Sequence, residues 1–134
     1  MTDATGTDNG RTLLLVDDDR NTRIAIGDFL RFRINGQLSS LDVVCNGQEA
    51  LNFVQEKRPH VVLMDVQMPV MDGITASKAM RDAGYIGHII LYSNHDFSPH
   101  ELQPAQATDF FYDKTRRDQL AATIRAYLLR PHQH

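Results

Sequence analysis

Short apolar runs alternate with longer amphipathic segments along the chain, which predicts five β-strands that are each followed by an α-helix. The last helix has the clearest pattern, because Leu120, Ile124, Tyr127 and Leu128 repeat at helical spacing and form one apolar stripe. The predicted strands are residues 12–16, 41–45, 60–64, 88–92 and 109–112, and the predicted helices are 20–34, 48–57, 74–83, a stretch from 98, and 117–129.

Strands that alternate with helices predict parallel pairing, because each helix carries the chain back across the sheet in a right-handed crossover. The expected fold class is α/β: a doubly wound, five-stranded parallel sheet of flavodoxin-like, three-layer type. In the strand order 2-1-3-4-5, the winding direction reverses between strands one and three. The functional crevice should therefore lie beyond the carboxyl ends of those two strands.

The chain has 134 residues, the usual size of one domain with one hydrophobic core. Residues 1–10 are polar and have nothing apolar to bury, so we expect a disordered tail there. We expect one domain over residues 11–130 and a short tail over 131–134. Because only residues 131–134 follow the predicted domain, the expectation is a single-domain protein without an effector domain.

Charge, hydropathy and cysteine content disfavour several classes of protein. The 14 Lys and Arg are outnumbered by 17 Asp and Glu, so the chain lacks the basic field that a nucleic acid backbone attracts. No apolar run approaches the roughly 18 residues of a membrane span, and the N terminus does not resemble a signal peptide. The lone Cys45 cannot form an intrachain disulfide and is predicted to be a small core residue. We expect a cytoplasmic protein that binds neither nucleic acid nor a membrane.

Aspartates follow two of the predicted strands. Asp17, Asp18 and Asp19 come directly after the first strand, and Asp65 comes directly after the third. Both strand ends should face the same crevice, where converging carboxylates can bind a hard divalent cation through oxygen ligands. An acidic run after a strand is also a common solvated turn, and Asp19 is suited to cap the helix that begins near residue 20.

Four segments of the chain resemble, in their sequence and in their order, the receiver domain of bacterial response regulators. The resemblance runs from about residue 11 to residue 130, and the segment at 63–73 is the most specific of the four. The resemblance implies a phosphoacceptor switch of two-component signalling rather than an enzyme. The segments are Leu-Leu-Val-Asp-Asp at 14–18, Leu-Met-Asp-Val-Gln-Met-Pro-Val-Met-Asp-Gly at 63–73, Ile-Leu-Tyr-Ser at 90–93, and Lys114 after the fifth strand.

By this resemblance Asp65 is the phosphoacceptor, and Mg²⁺ is the required cofactor because it neutralises the charge around the carboxylate. Asp18 and Asp65 would ligate the ion directly, the backbone carbonyl of Gln67 would be a further ligand, and Asp17 would act through a water molecule. Waters and phosphoryl oxygens would complete the octahedral geometry that Mg²⁺ prefers.

The resemblance also implies roles for three residues on the last two strands and the loops that follow them. Lys114 would place a positive charge against the phosphoryl group, and the hydroxyl of Ser93 would donate a hydrogen bond to it. Ser93 would move inward on phosphorylation and make room for an aromatic switch residue, which by position is Phe111. Phe111 in a plain core position is an equally good interpretation of the sequence.

Two residues near the site depart from the family pattern. Thr115 follows Lys114 where the family has a proline joined by a cis bond, so this loop should be either strained or trans, since a cis bond before another residue costs about 2.5–4 kcal/mol. Asn94 is larger than the small residue usually found after Ser93, and we expect it to narrow access to Asp65.

Six histidines are scattered through the chain without the spacing of metal ligands, so a histidine metal site is not expected. His95 is the exception to consider, because it lies two residues beyond Ser93. It is placed to lie at the mouth of the site and to influence hydrolysis of the acyl phosphate.

Two kinds of partner follow from the resemblance: a histidine kinase or histidine phosphotransfer protein that donates the phosphoryl group, and a downstream target that docks on the face formed by helix four, strand five and helix five. The fourth helix is unusual in this chain. Ser98 and Glu101 predict a capping box with Pro99 at the first helical position, whereas Pro104 should shorten or kink the helix.

Three other functions share parts of this pattern. A degenerate receiver would bind partners without phosphorylation, and the altered residues Asn94 and Thr115 keep that alternative open. A haloacid-dehalogenase-type phosphatase also uses strand-end aspartates, and Asp17 and Asp19 match its first two positions, but Asn21 does not match the residue expected next. A flavin-binding domain would need a phosphate loop rich in Ser, Thr and Gly after the first strand, and this chain lacks one.

Overall fold

The computed structural model of the chain describes residues 11–130. The predicted disordered tail, residues 1–10, and the predicted short tail, residues 131–134, lie outside the described residues.

Five parallel strands form one sheet in the order β2-β1-β3-β4-β5, which confirms the predicted fold class and strand order. The strands are β1 (Thr12–Val16), β2 (Ser40–Val44), β3 (Val61–Asp65), β4 (His88–Ser93) and β5 (Asp109–Tyr112). The helices are α1 (Arg20–Ile34), α2 (Gly47–Lys57), α3 (Gly73–Asp82), α4 (Pro99–Leu102) and α5 (Arg117–Leu128), with 3₁₀ turns at Asn35–Gln37 and Gln103–Ala105.

The predicted element bounds are right to within a residue or so, and two of the differences concern the site. Strand β3 continues to Asp65 and β4 continues to Ser93, so both residues belong to the last ladder positions rather than to the loops. Their backbones are therefore held by hydrogen bonds to neighbouring strands. A side chain on such a residue is positioned more rigidly than one on a free loop.

Helices cover both faces of the sheet. Residues on successive strand positions point to opposite faces, so Leu14 and Val16 pack with α2 and α3, whereas Leu13 and Leu15 pack with α1 and α5. All four of these side chains are fully buried. Within the described residues no helix is long and apolar enough to cross a membrane.

Side-chain caps fix where the helices begin, and several of them adjoin the site. Asp19 accepts a hydrogen bond from the backbone N–H of Thr22 at the start of α1, which confirms its predicted capping role. Asp72 does the same for the N–H of Thr75 at the start of α3. The caps therefore fix the first residues of α1 and α3 close to the strand-end carboxylates.

Helix α4 is short, as predicted. Ser98 and Glu101 form the complete capping box, in which each side chain accepts a hydrogen bond from the other residue's backbone N–H, and Pro99 occupies the first turn. The α-helix ends at Leu102 and the chain continues as the 3₁₀ turn that contains Pro104. A proline ring cannot supply the backbone N–H that the next turn of an α-helix needs.

The predicted core position of Cys45 is wrong. The residue lies just beyond β2, is only partly buried, and its thiol donates a hydrogen bond to Oε1 of Glu49. Strand β2 is an edge strand with three exposed residues among its five, so an apolar run there did not indicate full burial.

Candidate functional site

Three carboxylates converge at the carboxyl ends of the two central strands. Asp17 and Asp18 follow β1, and Asp65 ends β3, which pairs with β1 in register. One carboxylate oxygen from each residue lies within 4.8 Å of the others. Asp17 and Asp65 are buried, with 0% and 5% of their surface exposed, whereas Asp18 is open to solvent. The predicted convergence at the point where the winding reverses is therefore present in the structure.

The ammonium of Lys114 bridges the two buried carboxylates. Its Nζ lies 2.8 Å from Oδ2 of Asp17 and 3.2 Å from Oδ2 of Asp65, and the lysine side chain is only 12% exposed. One positive charge faces three carboxylates, of which Asp17 and Asp65 are buried and Asp18 is exposed. The remaining negative charge favours a bound cation, since unpaired buried charges are costly.

Asp65 is electrostatically unlike an ordinary aspartate. Burial raises the pKa of its carboxyl from 3.8 to about 6, and the charge of Asp17 adds to the rise. The Lys114 ammonium and a hydrogen bond from the backbone N–H of Gln67, at 3.2 Å from Oδ1, act in the opposite direction. The net result is a carboxylate that gains strongly from added positive charge, which is the state expected of a functional carboxylate.

Tyr92 is a site residue that the sequence analysis missed. It is fully buried on β4, and its hydroxyl donates a 2.6 Å hydrogen bond to Oδ2 of Asp17. Burial, with the adjacent Asp17 carboxylate as the next cause, raises the pKa of the Tyr92 phenol well above 10. One signal was available: a tyrosine, with its polar hydroxyl, stands between the aliphatic run 89–91 and Ser93.

Ser93 lies where the sequence placed it, at the end of β4 beside β3, and is 1% exposed. Its Oγ accepts a 2.9 Å hydrogen bond from the backbone N–H of His95, which leaves the hydroxyl proton available for another acceptor. The His95 ring is exposed and packs edge-on against Phe97, 4.9 Å between ring centres. His95 thus lies close to the serine at the outer rim.

Phe111 lies on β5 opposite Tyr92, and its ring is half-buried against the core that α1 and α5 cover. The guanidinium of Arg116 lies 5.1 Å from the centre of the ring. A half-buried aromatic ring can change position at lower cost than a fully buried one. This arrangement is compatible with either of the two predicted roles.

The loop between β3 and α3 passes tightly over the site. A Cβ added to Gly73 would lie 2.2 Å from the carbonyl oxygen of Asp65, so only glycine fits there without moving the end of β3. Val70 has a φ of 70° and is 96% exposed, an uncommon conformation for a β-branched residue. The close approach of Gly73 therefore places the start of α3 directly against the end of β3.

The loop after β5 holds Lys114 without the proline that the family has next to it. No peptide bond between residues 11 and 130 is cis, so the bond between Lys114 and Thr115 is trans. The backbone N–H of Lys114 donates a 2.8 Å hydrogen bond to the side chain of Asn94, and Thr115 bonds through both its N–H and its hydroxyl to Asp113. Side-chain hydrogen bonds therefore fix this loop.

The residues present are suited to hold a hard divalent cation. Asp18 and Asp65 offer carboxylate oxygens toward a common point, and a cation bound there would share the Asp65 carboxylate with the Lys114 ammonium and the backbone N–H of Gln67. Asp17 is more constrained, because Oδ2 accepts from both Tyr92 and Lys114 and Oδ1 accepts from the backbone N–H of Asp19 at 2.9 Å. Because both oxygens of Asp17 already accept hydrogen bonds, Asp17 is better suited to contact a cation through water than to ligate it directly.

The comparison with protein families agrees with this geometry. The family model of the response regulator receiver domain matches residues 13–125. The chain therefore belongs to the response regulator receiver domain family, whose members are switches in two-component signalling and interact with histidine kinases and downstream targets.

Individual relatives support the assignment. The response regulator MprA of Mycolicibacterium vanbaalenii is 32% identical over 120 residues, which cover 88% of this chain and 50% of that protein. The chain thus spans about half the length of these curated relatives. The receiver domain of the histidine kinase CKI1 from Arabidopsis thaliana, solved with Mg²⁺ and BeF₃⁻, is 30% identical with a TM-score of 0.71, covering 88% of this chain and 89% of that one.

A second solved structure supports the fold alone. The receiver domain of a sensor histidine kinase from Pseudomonas aeruginosa, which has a magnesium ion in its active-site cleft, is 22% identical with a TM-score of 0.76. The matching regions cover 89% of this chain and 98% of that one.

Proposed function

We propose that Asp65 accepts a phosphoryl group from a phosphohistidine on a histidine kinase or a histidine phosphotransfer protein. A carboxylate oxygen of Asp65 attacks phosphorus, the P–N bond to the imidazole breaks with its electron pair left on nitrogen, and an acyl phosphate forms. The observation that carries the proposal is the Lys114 ammonium, 3.2 Å from Asp65 Oδ2, inside a cluster of three carboxylates. The phosphoreceiver so defined occupies residues 11–130 and catalyses only its own phosphorylation and dephosphorylation.

Mg²⁺ is the cofactor that this donor set suits. Asp18, Asp65 and the backbone carbonyl of Gln67 would hold the ion directly, and Asp17 would hold it through water. Bound there, Mg²⁺ would supply the positive charge that offsets repulsion between the carboxylate and the phosphoryl oxygens. The CKI1 receiver domain, solved with Mg²⁺ and BeF₃⁻, supports this proposal by likeness.

Lys114 and Ser93 act on the phosphoryl group itself. The Lys114 ammonium already lies between the carboxylates, from where it can pair with a phosphoryl oxygen on Asp65. The Ser93 hydroxyl keeps its proton for a second phosphoryl oxygen, since its bond to His95 is an accepted one. His95 at the rim is placed to influence the water that hydrolyses the acyl phosphate.

The output is a change of surface on the side of α4, β5 and α5. Movement of Ser93 toward the phosphoryl group would free space for the half-buried ring of Phe111, with Arg116 moving along with it. The short α4 gives this face a different outline from that of a full-length helix, and a downstream protein would recognise it. The switch therefore acts by docking.

Acetyl phosphate tests the proposal. With Mg²⁺, intact-protein mass spectrometry should show one added phosphoryl group, and omission of Mg²⁺ with EDTA should remove the signal. Asp65→Asn should abolish labelling, whereas Asp42→Asn, an exposed aspartate on the edge strand β2, should label like the unmodified protein.

A degenerate receiver that binds partners without phosphorylation is the second candidate, favoured by the replacement of the family's proline with Thr115. Folded protein that stays unlabelled with Mg²⁺ and acetyl phosphate, yet binds a partner, would support it. Labelling that survives Asp65→Asn would instead favour a dehalogenase-like nucleophile at Asp17 or Asp19, although the match to the receiver family disfavours that reading.

A further inference from the structure

Tyr92 touches both members of the ion pair that adjoins the phosphoacceptor. Its hydroxyl donates to Asp17 Oδ2 at 2.6 Å, and the Lys114 Nζ lies 4.5 Å from the centre of its ring. The same Asp17 oxygen accepts from Lys114 at 2.8 Å. A single fully buried side chain on β4 therefore contacts the carboxylate through its hydroxyl and the ammonium through its ring face.

The two contacts have different physical effects. The hydroxyl shares Asp17 Oδ2 with Lys114, so the aspartate is satisfied without drawing the ammonium fully onto itself. The electron-rich face of the Tyr92 ring attracts the Lys114 ammonium through a cation–π interaction. Lys114 is thus left within 3.2 Å of Asp65, close enough to serve a group bound there.

We infer that Tyr92 is a positioning residue, whose hydroxyl on Asp17 and ring beneath Lys114 hold the ammonium where it reaches a phosphoryl group on Asp65. The inference rests on the proposed function, because it concerns how that site recognises the phosphoryl group. Tyr92 touches neither the phosphoryl group nor the metal and acts through Asp17 and Lys114.

Tyr92→Phe separates the two contacts. It removes the hydroxyl and keeps the ring, the core packing and the support beneath Lys114. Lys114 then remains as the donor of these two to Asp17 Oδ2, so the ammonium is held more strongly by Asp17 and is less available to a group on Asp65. Asp18, Asp65 and Asp17 Oδ1 keep their places.

Tyr127→Phe is the matched control. The Tyr127 hydroxyl also donates to a carboxylate, Asp109 Oδ2 at 3.1 Å, but on α5 and away from the three-carboxylate cluster. Thermal unfolding of both variants checks that they are folded. Three quantities are then measured: Mg²⁺ affinity by calorimetry, BeF₃⁻ affinity at saturating Mg²⁺ by ¹⁹F NMR, and the ¹⁵N signal of the Lys114 ammonium in metal-free protein.

In Tyr92→Phe we expect BeF₃⁻ to bind about tenfold more weakly, because the Lys114 ammonium that pairs with it is held less well. Mg²⁺ affinity should stay within about threefold, because the direct ligands Asp18 and Asp65 are unchanged. The Lys114 ammonium signal should shift or broaden, and Tyr127→Phe should match the unmodified protein in all three measurements.

Two results would overturn the inference: unchanged BeF₃⁻ affinity and Lys114 signal in Tyr92→Phe, or an equal loss of Mg²⁺ and BeF₃⁻ affinity, which would mark Tyr92 as a support for the fold only. Failure of the unmodified protein to bind BeF₃⁻ would refute the proposed function instead. The Lys114 signal of the metal-free protein would still decide the role of Tyr92.

Discussion

The side-chain oxygen of Asn94 accepts a hydrogen bond from the backbone N–H of Lys114 at a distance of 2.8 Å. This bond runs from Asn94, one of the two residues that depart from the family pattern, to Lys114, which directly precedes the other, Thr115. The asparagine therefore has a structural role that differs from the predicted narrowing of access to Asp65. It ties the loop after β5 to the loop after β4 in a chain that has no proline to fix the lysine.

Asn94→Ala tests this connection. Loss of a partly exposed hydrogen bond should lower the free energy of unfolding by about 1 kcal/mol and slow phosphorylation by acetyl phosphate severalfold, because Lys114 would lose its fixed backbone. Denaturant unfolding and a phosphorylation time course measure the two effects.

Asn52→Ala is the control for that change, since its side chain accepts a hydrogen bond from Gln48 on the exposed face of α2. Its phosphorylation rate should equal that of the unmodified protein. A rate for Asn94→Ala as fast as that of the control would show that the loop holds Lys114 by other means.

Removal of the Asp65 charge should stabilise the metal-free protein in a pH-dependent way. The pKa of the Asp65 carboxyl in the folded protein, about 6, lies above the ordinary value of 3.8, so folding favours the protonated form. The contribution of this group to stability is therefore fully present below about pH 4 and is lost as pH rises through 6. In EDTA at pH 7.5, the free energy of unfolding of Asp65→Asn should therefore be about 2–3 kcal/mol higher than that of the unmodified protein. At pH 4 the two free energies should differ little.

Denaturant unfolding at several pH values measures that difference, and Asp42→Asn provides the baseline for an exposed aspartate. Mg²⁺ at pH 7.5 should stabilise the unmodified protein and leave Asp65→Asn nearly unchanged. A difference in unfolding free energy that is constant from pH 4 to pH 7.5 would show that ionisation of Asp65 does not destabilise the folded protein.

Gly73→Ala should damage the site through the backbone. The added methyl would lie 2.2 Å from the carbonyl oxygen of Asp65, so the end of β3 or the start of α3 must move. We expect a loss of about 1–3 kcal/mol in unfolding free energy and weaker Mg²⁺ binding by calorimetry. Gly36→Ala is the comparison, because nothing lies within 4 Å of a Cβ there, and it should leave Mg²⁺ affinity unchanged.

Val70→Asn should stabilise the protein. Val70 has a left-handed backbone and is 96% exposed, so asparagine relieves backbone strain and sacrifices almost no packing. The expected gain is about 1 kcal/mol in thermal or denaturant unfolding. Val43→Asn, on the extended backbone of β2, has no such strain and should not stabilise. Equal effects at the two positions would argue against strain at Val70.

Much of the fold and of the site could be predicted because their signals are local in the sequence. The aspartates after β1 and β3 follow apolar runs, and parallel strands place such ends at one edge of the sheet. The caps at Asp19 and Ser98 depend on residues three positions away. Patterns of this kind need no knowledge of distant contacts.

Other features depend on contacts between distant segments, and the sequence analysis missed them. In the sequence, Tyr92 resembles one more apolar residue of a strand. Only the fold shows that it contacts Asp17, which is 75 positions away in the chain. The bond between Asn94 and Lys114 likewise joins two loops that lie 20 positions apart. Burial of Cys45 was predicted wrongly because the pattern did not distinguish an edge strand from a central one.

Mapping the phosphorylated residue tests the central claim most directly. Protein treated with Mg²⁺ and acetyl phosphate is reduced with sodium borohydride, which converts an aspartyl phosphate to homoserine, and is then digested and sequenced by tandem mass spectrometry. The account predicts homoserine at position 65 and nowhere else among the aspartates. Homoserine at 17, 18 or 19, with Asp65 intact, would contradict it.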